Sequence, residues 1–357
     1  MLSYRKGKVV EIEDEDEQVS WLIIDLDGKI AKAVNYNGLT GKAKIGDIII
    51  VNTTAVELSL GTGGTHFVIF NYSNETKDFH GSGHIMKLRY TPIQIKCLAA
   101  EEENSPYHKV FNTFKSLDNH IFIVGSLHSM LAPIVAMLKY LNENIKINYI
   151  MTDGGSLPIF FSNTVRILKE KKLIENTITI GHAFGGDLEC TNIYTGLIAA
   201  KEILKGDVTI ITMGPGIVGT DTKYGFSGIE QGYIIDAINT LGGQPIIVPR
   251  ISFQDKRDRH KGISHHTRTI LSEISKTSGK VIIPKLDRCK LNIINGQINN
   301  LNLYKKYKII YEEGDKISDA MNKYGLYIKT MGRGYNEDKE YFLTLGAVGN
   351  YVYKMLG

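Results

Sequence analysis

The chain has 357 residues, 43% hydrophobic and 22% charged, so it has room for two domains and a large core and is neither disordered nor fibrous. A net charge of +4 without a polybasic block offers no nucleic-acid footprint, and the longest apolar stretch, 130–138, is too short to span a bilayer. Three dispersed cysteines, Cys97, Cys190 and Cys289, in no metal or redox spacing, and an N-terminus without an apolar signal core point to the cytoplasm.

Residues 5–96 read as consecutive short strands, at 8–12, 21–26, 29–36, 48–52, 66–72 and 85–90. Asp27-Gly28 is a hairpin signal, because both residues tolerate positive φ. The acidic run 13–17 reads as a solvated turn, and Gly61-Thr-Gly-Gly64 and Gly81-Ser-Gly-His84 as turns rather than phosphate loops. Evenly spaced strands without helices predict a small antiparallel barrel or sandwich over residues 1–100.

Near Pro106 the hydrophobic period changes. Short apolar runs at 121–124, 147–151, 177–180, 208–213, 246–248 and 281–283 alternate with helical patterns at 129–141, 157–171, 189–204, 228–241 and 267–276. That alternation predicts βαβ units, hence an α/β domain over 106–357 with a mainly parallel, three-layer sheet. From Lys290 the pattern suggests a hairpin, then an extended run at 326–329 and a helix from about residue 337.

The two ends of these units differ. Helix-to-strand connections are plain surface turns, whereas the strand-to-helix junctions hold every histidine between residues 121 and 283. In open parallel sheets, ligands bind outside the carboxyl ends of the strands. His128, Asp153, His182, Asp187, Gly214, Gly216, Arg250, His260, His265 and His266 are therefore expected to converge there. The longest junction, Arg250 to Arg268, is expected to be a loosely held, ligand-gripping loop. His182 with Asp187 and Glu189, and His265 with His266, are the candidate catalytic groups, since an imidazole beside a carboxylate can move a proton. Asp187 is equally readable as a helix N-cap, and Cys190 as a small buried residue.

Met213-Gly-Pro-Gly-Ile-Val-Gly219 contains a literal G-x-G-x-x-G, but no helix opens from it at once and no acidic ribose partner follows. A dinucleotide site is disfavoured; Gly214, Gly216 and Gly219 remain candidates for an anion-cradling backbone loop. His260, His265 and His266 invite a divalent metal, yet their spacing matches no established zinc pattern and Arg257, Arg259 and Arg268 would repel a dication. An anionic ligand held by Arg250, Arg257 and Arg259 is favoured over a metal.

The motifs Gly181-His-Ala-Phe-Gly-Gly-Asp-Leu-Glu189, Met213-Gly-Pro-Gly-Ile-Val-Gly-Thr220, Gly225-Phe-Ser-Gly228 and Ser264-His-His-Thr267 resemble an uncharacterised bacterial family catalogued only as a domain of unknown function. The resemblance extends to Gly83-His-Ile-Met-Lys-Leu-Arg-Tyr-Thr-Pro92 and carries no activity with it. Two function classes follow from the residues themselves. One is a hydrolase or transferase acting on a phosphorylated or otherwise anionic small molecule, with histidine acid/base chemistry. The other is a non-catalytic metabolite sensor using the same pocket. No nucleic-acid or membrane partner is expected, and a second subunit could complete the site, since closed homodimers are common.

Overall fold

A computed structural model describes residues 1–61, 63–78 and 80–357; the expected turn at Gly61–Gly64 includes Thr62, which lies outside the described residues. The chain divides into two compact units, residues 1–82 with 91–93, and residues 83–90 with 94–357.

The first unit is a closed barrel of β1 (Tyr4–Glu15), β2 (Val19–Leu26), β3 (Lys29–Tyr36), β4 (Ile48–Asn52) and β5 (Thr65–Asn71), in the order β1-β2-β3-β5-β4. Closure depends on β1, which pairs with β4 over Tyr4–Lys8 and with β2 over Lys8–Glu15, the β2 pairing carrying two irregularities, Val9/Glu11 and Ile12/Asp14. The strand runs on into the acidic stretch as far as Glu15, so the expected turn there begins only at Asp16. Alternating residues Val9, Leu22, Ile24, Ile49 and Val51 fill the barrel. The β2–β3 hairpin turns on Asp27 and Gly28, whose φ values of 54° and 80° are what Asp-Gly tolerates.

The second unit opens with a short pair, β6 (Ile85–Lys87) and β7 (Ile95–Cys97), which the hydrophobic pattern had grouped with the N-terminal strands. Its centre is a sheet of β8 (Ile121–Val124), β9 (Ile147–Thr152), β10 (Asn176–Thr179), β11 (Leu188–Glu189), β12 (Val208–Met213), β13 (Gln244–Ile247), β16 (Gly279–Pro284) and β17 (Tyr307–Glu312). The order is β11-β10-β9-β12-β8-β13-β16-β17, and every pairing is parallel. The small strands β14 (Ile251–Ser252) and β15 (Gly262–Ile263) form a separate antiparallel pair.

Strand residues alternate between two cores. Ile123, Tyr149, Ile210 and Ile246 face the core built with helices Leu131–Leu141 and Lys339–Leu356. Phe122, Ile150, Ile211 and Ile247 face the core built with helices Ile193–Ile198 and Glu230–Thr240. Both sheet faces are therefore covered, which is why the runs read as continuously apolar. Among the described residues no helix is long and apolar enough to cross a membrane.

Three local expectations fail. Residues Arg288–Asn300 form a helix, not a hairpin, because Ile294 and Ile298 are both fully buried at helical spacing and Asp287 caps the first turn by accepting from the Lys290 N–H at 3.0 Å. Residues 326–329 are irregular. The helix expected from Glu189 begins at Ile193, capped by Asn192 rather than Asp187, since Leu188 and Glu189 are taken into the sheet as β11.

Candidate functional site

The loops after β12 and β13 build the most unusual cluster in the second unit. After β12, Gly219 and Phe226 form an antiparallel bridge and Thr220 N–H donates to Gly225 O at 2.8 Å, making a small hairpin with Asp221 at its tip. After β13, the long Arg250–Arg268 segment is held rather than loose. Strands β14 and β15 close its base, with Ile251 and Ile263 fully buried, and Gln297 of the unanticipated helix bonds both Ile263 N–H and Lys261 O at 2.8 Å. Ser252 adds a 2.8 Å bond to the buried Asp338 carboxylate.

This frame brings His260, His265 and His266 together. Ring centroids lie 4.8 Å (His260–His265), 5.2 Å (His260–His266) and 4.2 Å (His265–His266) apart. Ser264 sits between them: its Oγ accepts from the His266 N–H at 3.3 Å and bonds His260 Nδ1 at 2.8 Å. Phe226 lies flat on His266, centroids 4.0 Å apart and planes inclined by 10°. A Cβ on Gly219 would stand 4.0 Å from His266 Cε1, so the hairpin backbone passes close to that imidazole.

Four arginines surround the trio. Asp255 binds Arg257 through both oxygens at 2.9 Å and Arg250 at 3.4 Å, and Arg259 pairs with Asp221 across the two loops. Burial lowers all three histidines, and the guanidinium charges add to it; His260 and His266 fall to about 3, and His265 shifts the same way. The trio is therefore neutral at physiological pH. Among the described residues eight buried side-chain atoms lack a hydrogen-bond partner, and three of them, Arg259 Nε, His265 Nε2 and Arg268 Nε, belong to this one cluster. Buried polar groups are ordinarily satisfied, so this concentration makes the cluster the leading candidate for a binding site.

The other expected site residues fall into separate sets. Asp153 accepts from the His182 N–H at 3.1 Å, and His182 Nδ1 accepts from the Leu88 N–H at 3.0 Å, so that ring nitrogen is spent on backbone. Asp187 does not reach the carboxyl edge: the chain doubles back after β10 to enter β11, which carries Asp187 to Thr177 (N–H and Oγ1, both 2.8 Å) and Lys169 (2.6 Å). Burial pushes its carboxyl up, but those bonds outweigh it and hold it below the usual range. Glu189 is bound to Lys87, Thr179 and Gly185 N–H, all at 2.6 Å. The sequence pairs His182 with Asp187 and Glu189 as a catalytic set; each is bonded instead to partners outside that set, His182 to the Leu88 N–H, Asp187 to Thr177 and Lys169, and Glu189 to Lys87 and Thr179. Cys190 is fully buried, which pushes its thiol up and leaves it inert.

His128 lines a cleft of about 340 Å³ with Ser129, Gly216, Ile217 and the irregular segment 327–331. Its Nδ1 donates to Met213 O at 3.1 Å, because a carbonyl only accepts, and its Nε2 takes the Ser162 hydroxyl at 2.6 Å. Burial lowers it to about 4. Ile217 in this cleft and Gly219 at His266 are separated by two residues of chain, at most about 7 Å. The glycines of this loop serve packing as well: Gly214 would clash with Ser156 O, and Gly216 has a φ of 107°. A larger hollow of about 440 Å³ lies at the opposite edge of the sheet, lined by Lys280, Lys306 and Lys308. Among the described residues no histidine or carboxylate lines it, so the carboxyl edge is the better candidate.

Sequence reading missed Phe226, Asp221 and Glu230. Only the spacing Gly225-Phe-Ser-Gly228 hinted at the first; nothing local marks the others. Glu230 accepts from Thr152 Oγ1 at 2.5 Å beside the Asp153 loop, and burial raises it to about 7. A carboxyl raised in the folded state stabilises it below about pH 4.5, and that contribution is lost as pH climbs through 7. Glu230→Gln keeps an acceptor for Thr152. The variant should match the parent near pH 4.5 and exceed it by up to about 3 kcal/mol at pH 8. Urea denaturation at both values checks this, and an unchanging gap would mean that Glu230 titrates normally.

Comparison with curated proteins returns no match. Comparison with protein families matches residues 32–349 to the description "Protein of unknown function (DUF3866)".

Proposed function

The chain belongs to this family, DUF3866, whose description names no reaction, and we propose that it is a hydrolase or transferase acting on a phosphorylated or otherwise anionic small molecule. The observation that carries the reading is the trio of buried, unpartnered atoms Arg259 Nε, His265 Nε2 and Arg268 Nε. An anion would satisfy guanidinium donors and an imidazole N–H together, through charge-assisted bonds stronger than those to a neutral acceptor. The anionic group would sit at this cluster and the rest of the molecule in the cleft beside it, with the Gly216–Gly219 loop as shared wall. The proton would be moved by a neutral imidazole of the trio, His265 being the one with a fully buried nitrogen that lacks a partner among the described residues.

Arg250 is a poor choice for testing the anion contact, since its side chain is only 5% exposed and already bound to Asp255. Arg268 is the better one. Loss of one such contact costs about 1.5–3 kcal/mol, roughly ten- to hundredfold in affinity. Calorimetric titration with inorganic phosphate, then with phosphorylated metabolites found by thermal-shift screening, should show that loss in Arg268→Ala. His265→Ala should keep most of the binding and lose turnover. Equal binding by Arg268→Ala and the parent would place the anion elsewhere. Binding without turnover in the parent would mark a ligand sensor.

A further inference from the structure

We propose that His260, His265 and His266 form a three-imidazole centre for a transition-metal dication of the zinc class, leaving a fourth position for water or for the anion. The proposal rests on the reading that this cluster is the reactive part of the site, and it changes what the histidines do there: they become ligands, and the proton that moves belongs to metal-activated water.

The donor atoms of the three side chains lie within 4.8 Å of one another. Zinc–imidazole bonds of about 2.0–2.1 Å in tetrahedral geometry put ligand nitrogens about 3.3 Å apart, so the trio needs only a modest inward closure. The sequence separation hides this, because a turn at Asp258–His260, the β15 strand and the helix beginning at His265 are needed to fold His260 back onto the pair. Two of the three rings are already oriented. Ser264 holds His260 by Nδ1, which leaves Nε2 as its ligand atom, and Phe226 braces the face of His266. Hydrogen-bonded and packed imidazoles of this kind are the usual support of a metal site. His265 contributes a buried Nε2 with no partner, a lone pair that a metal would satisfy.

The surrounding positive charge is the argument against a dication, and much of it is already neutralised. Asp255 serves Arg250 and Arg257, and Asp221 serves Arg259, while the Arg268 guanidinium has, among the described residues, a bond to the Arg259 carbonyl at 3.1 Å and no carboxylate. An anion bound between metal and arginine would offset the rest, so metal and anion should tighten each other's binding by about 5- to 150-fold, the usual range of such coupling. Three neutral nitrogens favour zinc, copper, nickel or iron over magnesium or calcium, which prefer oxygen.

The test strips the full-length protein with chelator, dialyses it against micromolar zinc, counts bound metal, and titrates zinc by calorimetry with and without phosphate. One zinc per chain is expected in the parent and in His80→Ala, an exposed histidine that controls for adventitious binding. His265→Ala and His266→Ala should each weaken zinc by more than the roughly 10- to 100-fold typical of groups that only orient ligands. His265→Gln and His266→Gln, which keep most of the volume, guard against misfolding, and circular dichroism reports whether each variant is folded. The proposal is overturned if the folded variants bind zinc like the parent, or if magnesium binds as well as zinc. Zinc binding without phosphate binding would leave this centre standing and remove the anion reading; phosphate binding that depends on Arg268, without zinc, would do the reverse.

Discussion

Glu189→Gln should destabilise the second unit by about 3–5 kcal/mol, a large part of the 5–15 kcal/mol that holds a typical protein folded. The Lys87 side chain is 1% exposed, and its ammonium contacts Ala183 O at 2.5 Å, Thr179 O at 3.2 Å and Glu189 at 2.6 Å. A neutral amide at 189 leaves that ammonium in the interior without a counter-charge, and breaking a buried pair from one side costs more than the pair is worth. The melting midpoint should fall by on the order of 10 °C. Lys87→Met together with Glu189→Gln should recover much of the loss, since a buried ion pair can be replaced by apolar groups of similar volume. Activity per folded molecule should be unchanged. A variant as stable as the parent but inactive would return Glu189 to the catalytic group in which the sequence places it.

Asp255→Asn is the second large effect, again about 3–5 kcal/mol, and here it strikes the frame of the candidate site. The Asp255 side chain is 4% exposed and serves the equally buried Arg250 and the half-exposed Arg257. The hydrogen bonds from Arg257 hold its carboxyl far below the usual range, against the opposing effect of burial. A depressed carboxyl contributes stability that is fully present above about pH 4, its unfolded value, and is lost as pH falls through the folded one. The gap between parent and variant should therefore be complete at pH 6–8 and narrow only below about pH 4. Denaturation curves at pH 7 and pH 3 decide it: a gap that is absent at pH 7 would mean that Arg250 is solvated and the loop does not depend on this pair. The folded fraction of the variant should also bind phosphate more weakly, since freeing Arg250 and Arg257 loosens the segment that carries His260.

The elements that were legible in the sequence are those decided by near neighbours. Asp27-Gly28 makes its hairpin because two adjacent residues accept positive φ, and the parallel strands announce themselves as apolar runs because both of their faces are covered. The topological rule that ligands gather at the carboxyl edge of such a sheet then placed the histidines without any knowledge of their contacts. Where two local signals competed, as in Arg288–Asn300, burial of Ile294 and Ile298 decided for helix, and that burial depends on what the segment packs against.

The fate of each polar side chain was not legible, for a physical reason. A carboxylate or imidazole becomes reactive or structural according to which donors reach it, and those donors arrive from far away along the chain. Glu189 is spent on Lys87, 102 residues distant, and His182 on the Leu88 N–H, 94 residues distant. His265 keeps a buried Nε2 without a partner among the described residues, and the β12 hairpin brings Phe226 to the His266 ring and Asp221 to Arg259, contacts that no spacing in the sequence encodes. Sequence by itself determined which edge of the sheet the histidine-bearing loops reach, since strand direction and loop composition are local. Only the tertiary structure decided which of the residues gathered there remain unsatisfied, because hydrogen-bond satisfaction is settled across the whole fold.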